Sequence, residues 1–459
     1  MTTHEQPEAP DRLTRLASLI GRLIPDALST SIVLLVVVFA VALLMGNSLG
    51  ETMDAYYRGL WLLISFTMQM TLILVLSSTL GATRFFRKVV VTVSRVPRSA
   101  TQVVVFSMLV TASLAYLYWG LGVALGPLVA IYFAREAEAK GIAIDFPFLL
   151  SITGAAGSVW QFGFSASAPL LMNTPGHFLE DTVGLMPLRT TIFAPASVVF
   201  VIVFMIVAMV VARVLLPKRP QQISTFPESY KLAEPLRPSE AEPMASTGEE
   251  PTFSERVEGH AGPTVVLVIA LGGWIVYHFG VKGAGLDLNS LNTILLLSCM
   301  VFHKNVRSFT KALQAAVVSA WPVIVLYHLY AGVAGLLQYT TVGETFAGFF
   351  ASISTRYTFP LLTALAAAAV SVFVPSSGGQ WAIQGFITAK TAAAVGVSAQ
   401  RGLLALSVGD HIGNLLSPFW VVIAGGIARI DFRRFIGYNL VFAVIWFVLG
   451  VLSFTFLPA

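Results

Sequence analysis

Long apolar runs separated by short polar stretches make up most of the sequence. A helix needs about 20 apolar residues to cross the hydrocarbon core of a bilayer. Runs that reach or approach this length predict spans at residues 27–46, 57–80, 145–172, 190–216, 263–281, 288–303, 316–338, 400–425 and 435–457. The pattern therefore predicts an all-α polytopic membrane protein with nine crossings.

Two further apolar regions, residues 100–134 and 357–395, follow a different pattern. Each is long enough to enter the membrane and leave it again. Each is also interrupted near its middle by glycine or proline, which break a regular helix. We interpret both regions as re-entrant helical hairpins, which return to the side of the membrane from which they enter.

The positions of the basic residues agree with this topology, because cytoplasmic loops carry an excess of Lys and Arg. With the N-terminus inside and nine crossings, nearly all of the 28 Lys and Arg residues fall on the inner side. The inner loops contain Arg84, Arg87, Lys88, Arg95 and Arg98, then Lys304, Arg307 and Lys311, and then Arg429, Arg433 and Arg434. This pattern predicts an outer C-terminus.

Polar segments divide the chain into two membrane halves. Residues 1–26 form a polar N-terminal tail, and residues 217–262 are rich in Pro, Glu and Ser. The second segment has the composition of a disordered cytoplasmic linker, with a small soluble domain as the alternative. It separates a first half (27–216) from a second half (263–459).

The two halves repeat one order of elements, in which spans precede a surface stretch, a hairpin and two more spans. Because the first hairpin is expected to enter from inside and the second from outside, the halves predict inverted repeats, each with a re-entrant hairpin and a broken transmembrane helix. Binding sites in such folds lie near the bilayer midplane between the repeats. Chance similarity of apolar patterns is the alternative.

Composition excludes several other classes. Hydrophobic residues make up 56% of the 459 positions and charged residues 11%, whereas soluble domains carry roughly 25% charged residues. The net charge of +5 does not predict a nucleic-acid partner, because the basic residues lie between apolar runs. No phosphate-binding loop, metal-ligand cluster or nucleophile–base pair is readable, so we expect no cofactor, no metal and no enzyme activity.

Four interruptions of apolar runs contain the residues expected to bind a ligand. Helices break inside a membrane only where protein, water or ligand satisfies the freed backbone groups. The expected substrate-binding residues are Trp119, Gly120 and Gly122 in the first hairpin, Ser165 and Ser167 in span 145–172, Pro375, Ser376, Ser377, Gly378, Gly379, Gln380, Trp381 and Gln384 in the second hairpin, and Asn414 in span 400–425. Tight packing through small residues or an ordinary proline kink is the alternative.

Asp410 is the only acidic residue predicted well inside the hydrocarbon core. Burial of a charged carboxylate there is costly, so such residues face a cavity, pair with a partner or take up a proton. We assign ion coupling to Asp410 with Ser376 and Asn414, leaving Na⁺ or H⁺ open, and a purely structural contact is the alternative. Because no Lys or Arg is predicted in mid-membrane, helix N-termini and hydroxyl groups would have to hold an anion. We do not assign His411 to the site, because neighbouring residues of a helix point in different directions.

At these motifs the chain resembles the bacterial short-chain fatty acid transporter family. The matching stretches are Trp119-Gly120-x-Gly122, Ala134-Arg135-Glu136, Phe164-Ser165-x-Ser167-x-Pro169-Leu170-Leu171, Thr174-Pro175-Gly176, Val374-Pro375-Ser376-x-Gly378-Gly379-x-Trp381-x-Ile383-Gln384-Gly385 and Pro418-Phe419-Trp420. The resemblance implies uptake of acetoacetate, butyrate or similar carboxylates across the bacterial inner membrane. It also implies a fold with paired hairpins, a homodimer and an elevator motion.

Four positions depart from the family pattern that we expect. Ser377 stands where we expect Gly, Gln380 where we expect His, Phe386 where we expect Pro, and Asp410 where we expect Glu. Three of these are among the assigned site residues, so they leave the exact substrate open. The second hypothesis within transport is a cation/proton antiporter of the same broad fold that uses Asp410. A channel or an intramembrane enzyme is the third class.

Overall fold

The computed structural model describes residues 27–232, 252–318 and 320–458. The predicted tail at 1–26 and residues 233–251 of the predicted linker lie outside this part. Within it, all regular structure is helical, as predicted. The first half forms α1 (Ala27–Leu44), α2 (Leu49–Leu60), α3 (Ile64–Gly81), α4 (Arg84–Ser94), α5 (Ala100–Leu117), α6 (Trp119–Ala139), α7 (Phe146–Gly157), α8 (Ser167–Asn173), α9 (Glu180–Val183), α10 (Pro195–Val214) and α11 (Pro227–Leu232).

The second half follows with α12 (Phe253–Gly259), α13 (Gly262–Val276), α14 (Leu288–His303), α15 (Val306–Val317), α16 (Trp321–Tyr339), α17 (Thr341–Ile353), α18 (Phe359–Ser371), α19 (Ser377–Ala394), α20 (Ala399–Leu416), α21 (Pro418–Ala428) and α22 (Ile436–Phe456). A π-helical turn, Tyr277–Val281, extends α13.

Seven helices of the described residues are long and apolar enough to cross a membrane, or eight if the bent pair α20–α21 counts as one span. They are Leu49–Gly81, Ala100–Leu117, Trp119–Ala139, Pro195–Val214, Gly262–Val281, Trp321–Tyr339 and Ile436–Phe456. Predicted spans 27–46 and 288–303 correspond to the shorter apolar helices Leu28–Leu44 and Leu288–His303. Predicted span 57–80 is part of Leu49–Gly81, which contains a turn at residues 61–63.

Region 100–134 folds as two antiparallel helices, α5 and α6, that meet at Tyr118. Tyr118 is extended (φ −143°, ψ 120°) and reverses the chain. A Cβ on Gly122 would lie 2.7 Å from the Cβ of Ala115, and one on Gly126 would lie 3.4 Å from Thr111. The glycines of α6 therefore let the two arms approach closely, and both arms are of span length.

Region 357–395 forms a second helical hairpin from α18 and α19, with the turn at residues 372–376. Gln380 Nε2 donates to the carbonyl oxygen of Ala367 at 2.7 Å, which ties the start of α19 to the end of α18. Pro375 cannot donate a backbone hydrogen bond, so a continuous helix is disfavoured at this point. Both predicted interruptions are thus turns between packed helices.

The two predicted broken spans are also interrupted. After α7 the chain makes a 3₁₀ turn, Ser158–Phe162, before α8 begins at Ser167. In the second half, α20 ends at Leu416, and the axis of Trp420–Ala428 is bent by 45° from it. Pro169 and Pro418 lie in the first turns of α8 and α21, where a missing amide hydrogen costs no helical hydrogen bond.

Residues 217–232 differ from the expected disordered linker, because they pack against the membrane helices. The backbone N–H of Gln221 donates to Asp145 Oδ2 at 2.9 Å, and Phe146 N–H donates to the carbonyl of Gln221 at 2.9 Å. Ser229 Oγ donates to the carbonyl oxygen of Ala428 at 2.7 Å. These distant partners cannot be read from the composition of the segment.

Small residues allow α2 and α16 to cross in direct backbone contact. A Cβ on Gly59 would lie 2.6 Å from the carbonyl oxygen of Ala331, and one on Gly335 would lie 2.5 Å from that of Ala55. Each helix therefore contributes two small residues four positions apart, a pattern that promotes close packing of helices in membranes.

We predict that Gly335→Leu destabilises the protein, because the side chain would have to push α2 and α16 apart. Overpacking of this kind costs about 1–3 kcal/mol. Thermal unfolding of the detergent-solubilised protein measures this loss of stability. Gly272→Leu is the control, since a Cβ on Gly272 meets nothing within 4 Å. Equal melting temperatures for the two variants would contradict the close crossing.

Candidate functional site

One cavity of about 160 Å³ lies between both hairpin turns and both broken helices. We call the two turns tip 1 (residues 117–122) and tip 2 (residues 372–379). The cavity is lined by Trp119 and Gly122 of tip 1, Pro375, Ser376 and Ser377 of tip 2, Ser158, Trp160 and Ser167 of the first broken helix, His411, Asn414 and Trp420 of the second, and Tyr327 of α16. The structure thus brings together all four interruptions that the sequence singled out.

Tip 1 is held from behind by the first broken helix. The backbone N–H of Trp119 donates to Ser165 Oγ at 2.8 Å, and Phe164 N–H donates to the carbonyl of Tyr116 at 2.8 Å. Gly120 faces α3, where a Cβ would lie 2.6 Å from the Cβ of Ser77. Ser165 and Gly120 therefore support the tip, whereas the indole of Trp119 faces the cavity.

Tip 2 is held by two side chains from other elements. Trp420 Nε1 donates to the carbonyl oxygen of Pro375 at 2.9 Å. The hydroxyls of Tyr327 and Ser376 are 2.7 Å apart and share a hydrogen bond. Neither Trp420 nor Tyr327 was assigned to the site from the sequence, because both contacts join residues 45 or more positions apart.

The N-terminus of α19 reaches the cavity wall without a side-chain cap. Ser376 is the N-cap residue, but its side chain accepts no hydrogen bond from the first turn. The first backbone N–H groups of any helix lack partners within the helix. Ser377, the first residue of α19, is 1% exposed, and its Oγ has no partner in the described residues. This end of α19 therefore presents unused donors and the positive end of the helix dipole.

The remaining predicted residues of the second hairpin lie behind the cavity. A Cβ on Gly378 would overlap the ring of Phe66, and one on Gly379 would lie 2.7 Å from the ring of Tyr330. Trp381 is fully buried. Gln380 Nε2 also donates to Gln384 Oε1 at 2.6 Å, and Gln384 lines a second cavity of about 50 Å³. These residues pack the hairpin and do not line the main cavity.

Asp410 lies behind the cavity wall and is fully buried. Its Oδ2 accepts hydrogen bonds from Gln161 Nε2 and, at 2.9 Å, from Asn414 Nδ2. Its Oδ1 has no partner among residues 27–232, 252–318 and 320–458. The Gln161 contact joins the two broken helices. Gln161 was not predicted, although a carboxamide in an otherwise apolar run is a signal that could have found it.

His411 also lines the cavity, although it is not among the site residues expected from the sequence. Its ring is 3% exposed and lies 4.6 Å from Trp446 and 6.0 Å from Trp160, measured between ring centroids. Helical spacing could have placed His411 at the site, because residues 411 and 414 are three positions apart and share one face of α20.

The cavity combines a few unpaired polar groups with an otherwise apolar wall. Unpaired buried atoms on its lining, within the described chain, are Trp119 Nε1, Ser158 Oγ, Ser377 Oγ and both ring nitrogens of His411. No Lys, Arg, Asp or Glu is among the lining residues that the structure describes. Such a cavity can hold a small, singly charged anion that carries a short apolar part.

Comparisons with known proteins match one family over almost the whole chain. Residues 11–457 match the family described as short chain fatty acid transporter. A protein of Escherichia coli (strain K12) is 27% identical over 449 residues, which is 96% of this chain and 99% of that protein. One from Haemophilus influenzae is 27% identical over 457 residues, 95% of this chain and 98% of that protein. Both carry the provisional name short-chain fatty acid transporter.

Two solved structures share the fold. The YdaH transporter of Alcanivorax borkumensis superposes with a TM-score of 0.58 at 15% identity, covering 94% of this chain and 97% of that one. MtrF of Neisseria gonorrhoeae, described as one of a class of antimetabolite efflux pumps, gives a TM-score of 0.55 at 12% identity, covering 97% of each chain. At these identities the comparison concerns the fold alone.

We predict that Gln161 and Asp410 are energetically coupled. In a double-mutant cycle, Gln161→Leu and Asp410→Asn should give a coupling energy of about 1–3 kcal/mol, because the single change Gln161→Leu leaves a buried carboxylate short of a donor. The control pairs Asp410→Asn with Gln69→Leu, since Gln69 bonds Asn289 instead. Denaturant unfolding measures the cycle, and additive effects for the Gln161 pair would contradict the contact.

Proposed function

The chain belongs to the short-chain fatty acid transporter family, and we propose that it carries small monocarboxylates up to about the size of butyrate through the cavity between its two hairpin tips. It is a multi-pass membrane protein and a transporter, not an enzyme. The observation that carries the proposal is the uncapped N-terminus of α19 in a cavity without charged side chains.

The charge of the cavity suits one carboxylate group. Helix N-termini bind anions through free backbone N–H groups and the helix dipole, without a basic side chain. Ser377 Oγ and Trp119 Nε1 are further buried donors without partners in the described part of the chain. A cavity without Lys or Arg suits a singly charged carboxylate better than a phosphate ester, which carries more negative charge. We therefore propose that the carboxylate lies at the start of α19.

The size of the cavity limits the rest of the substrate. An engineered protein cavity of about 150 Å³ holds benzene, which has six non-hydrogen atoms. Butyrate also has six, and the cavity here measures about 160 Å³. Its wall beyond the tips includes Val123, Leu150 and Val421. An alkyl chain of a few carbons can therefore be buried beside the carboxylate site.

The predicted binding residues divide into two roles in this proposal. Those that would touch the substrate are Trp119, Gly122, Ser167, Pro375, Ser376, Ser377 and Asn414. Those that would position the tips are Gly120, Ser165, Gly378, Gly379, Gln380, Trp381 and Gln384.

We further propose that Asp410, with Ser376 and Asn414, couples uptake to H⁺ or Na⁺. Its support is a fully buried carboxylate with one unpaired oxygen within the described residues, directly behind two residues that line the cavity. We propose symport, because this carboxylate lies next to the cavity that would hold the substrate. The competing antiporter hypothesis finds no support in the comparisons.

The membrane arrangement remains part of the proposal. We propose two inverted repeats with re-entrant hairpins, an inner N-terminus, the bacterial inner membrane and a homodimer. Supporting this, each half contains a helical hairpin followed by a broken helix, namely α5–α6 with α7–α8 and α18–α19 with α20–α21. The distribution of Lys and Arg favours the stated orientation.

Uptake of labelled butyrate and acetoacetate into proteoliposomes, at imposed pH and sodium gradients, tests the function. We expect saturable uptake driven by one of the two gradients. Ser377→Ala should raise the KM about tenfold or more, because a hydrogen bond to a charged group is lost. Ser352→Ala is the control, since Ser352 is exposed on α17. Ion exchange without any carboxylate uptake would contradict the proposal.

Gly154→Val should narrow the range of chain lengths that is transported. Gly154 lines the cavity, and a Cβ there meets nothing within 4 Å, so a larger side chain fills the space without a clash. We expect the KM for butyrate to rise by about fourfold per excluded methylene, with acetate little affected. Gly273→Val on α13 is the control. An unchanged preference among acetate, propionate and butyrate would contradict the size limit.

A further inference from the structure

The imidazole of His411 is buried in the cavity wall with both nitrogens unused. It is 3% exposed, and neither Nδ1 nor Nε2 has a hydrogen-bond partner in the described residues. A buried polar group without a partner costs about 1–3 kcal/mol. Such a group in a native protein calls for an explanation.

Packing does not explain the choice of histidine. The ring is tilted by 50° against Trp446 and stands edge-on to Trp160. A phenylalanine ring could make both of these contacts. The indole N–H of Trp446 is used elsewhere, since it donates to the carbonyl oxygen of Val408 at 3.1 Å. The two unpaired nitrogens of His411 therefore lower the stability of the fold, and no contact in the structure offsets this loss.

The surroundings of His411 hold few other ionisable groups. On its own helix, Asp410 Oδ2 is engaged by Gln161 and Asn414. From α16, Tyr327 shares the cavity, and its hydroxyl is bonded to Ser376. On α19, Lys390 pairs with Glu344 outside the cavity at 3.4 Å, and on α22, Tyr438 packs on Phe148.

The other elements packed against α20 add no charge at this place. Helices α8, α18 and α21 and the turn Ser158–Phe162 contain no Asp, Glu, Lys, Arg, His, Tyr or Cys. Among the described lining residues, His411 is thus the only side chain that can become positively charged. A carboxylate entering this cavity can be neutralised by a side chain only there.

We propose that His411 holds a proton that balances the charge of the bound carboxylate, so that anion and proton cross together. This rests on the proposed function. The proton comes from the solution on the side where the substrate enters, resides on an imidazole nitrogen while the carboxylate accepts that N–H, and leaves with the substrate. Only the N–H bond is made and broken. His411 thereby makes a charge-assisted hydrogen bond that neutral donors cannot supply.

This role differs from that of Asp410. The carboxylate of Asp410 lies behind the wall and is held by carboxamides, whereas His411 faces the substrate space. Loss of Asp410 should remove coupling to the ion that Asp410 is proposed to bind, while the proton on His411 still crosses with the carboxylate. Loss of the His411 proton should instead weaken substrate binding and remove its dependence on pH.

Two measurements test the proposal on the purified protein. The first is proton uptake from weakly buffered solution when butyrate is added at neutral pH. The second is the KM for butyrate in equilibrium exchange between pH 6 and 8, about the range in which imidazoles titrate and in which butyrate stays ionised. The test variant is His411→Gln, which can donate a hydrogen bond but cannot titrate. The control is His328→Gln, since His328 lies against Trp61 away from the cavity.

The wild type and His328→Gln should take up about one proton per butyrate bound, and their KM should rise with pH by up to about tenfold per unit. His411→Gln should take up none and show a KM about tenfold higher at pH 6 that no longer changes with pH. Butyrate binding without proton uptake in the wild type, or an unchanged pH profile in His411→Gln, would overturn the proposal while leaving the transport function intact. A wild type that binds no carboxylate would overturn both.

Discussion

Every break in a helix within a membrane must find a partner inside the protein, because lipid offers no hydrogen bonds. This structure meets the constraint with long-range contacts between its interrupted elements. Ser165 accepts the Trp119 amide, Trp420 donates to the Pro375 carbonyl, and Ser371 Oγ accepts the Gly413 amide at 2.9 Å. No side chain caps the start of α19, which reaches the cavity wall. We propose that the substrate carboxylate binds to the unused donors there.

Much of the architecture could be predicted from the sequence, because glycine, proline and serine within apolar runs mark where helices must break. The turns at Tyr118 and Pro375 and the interruptions after Gly157 and Leu416 lie within the predicted regions. The gathering of these turns around one cavity followed from the same logic. The family assignment confirms the resemblance carried by those motifs.

The remainder depends on contacts between residues far apart in the chain. The bond between Gln161 and Asp410 joins residues 249 positions apart, and that between Tyr327 and Ser376 joins residues 49 apart. Hydropathy carries no information about such pairs. The same holds for Ser229, which reaches Ala428 and orders part of the predicted linker. His411 follows Asp410 directly, and adjacent residues of a helix point in different directions, so the sequence alone does not show which of them faces the cavity.

The glycine-rich motif of the second hairpin is explained by close packing more than by ligand contact, because Gly378 and Gly379 make room for Phe66 and Tyr330. The chemistry of the proposed site lies in the few groups that packing leaves unused. An anomalous-scattering crystal structure with 3-bromopropionate, which has as many non-hydrogen atoms as butyrate, tests the proposed placement of the substrate most directly. We expect the carboxylate at the start of α19 and the bromine within the cavity, towards Gly154. A bromine outside the cavity, or a carboxylate turned away from Ser377, would contradict it.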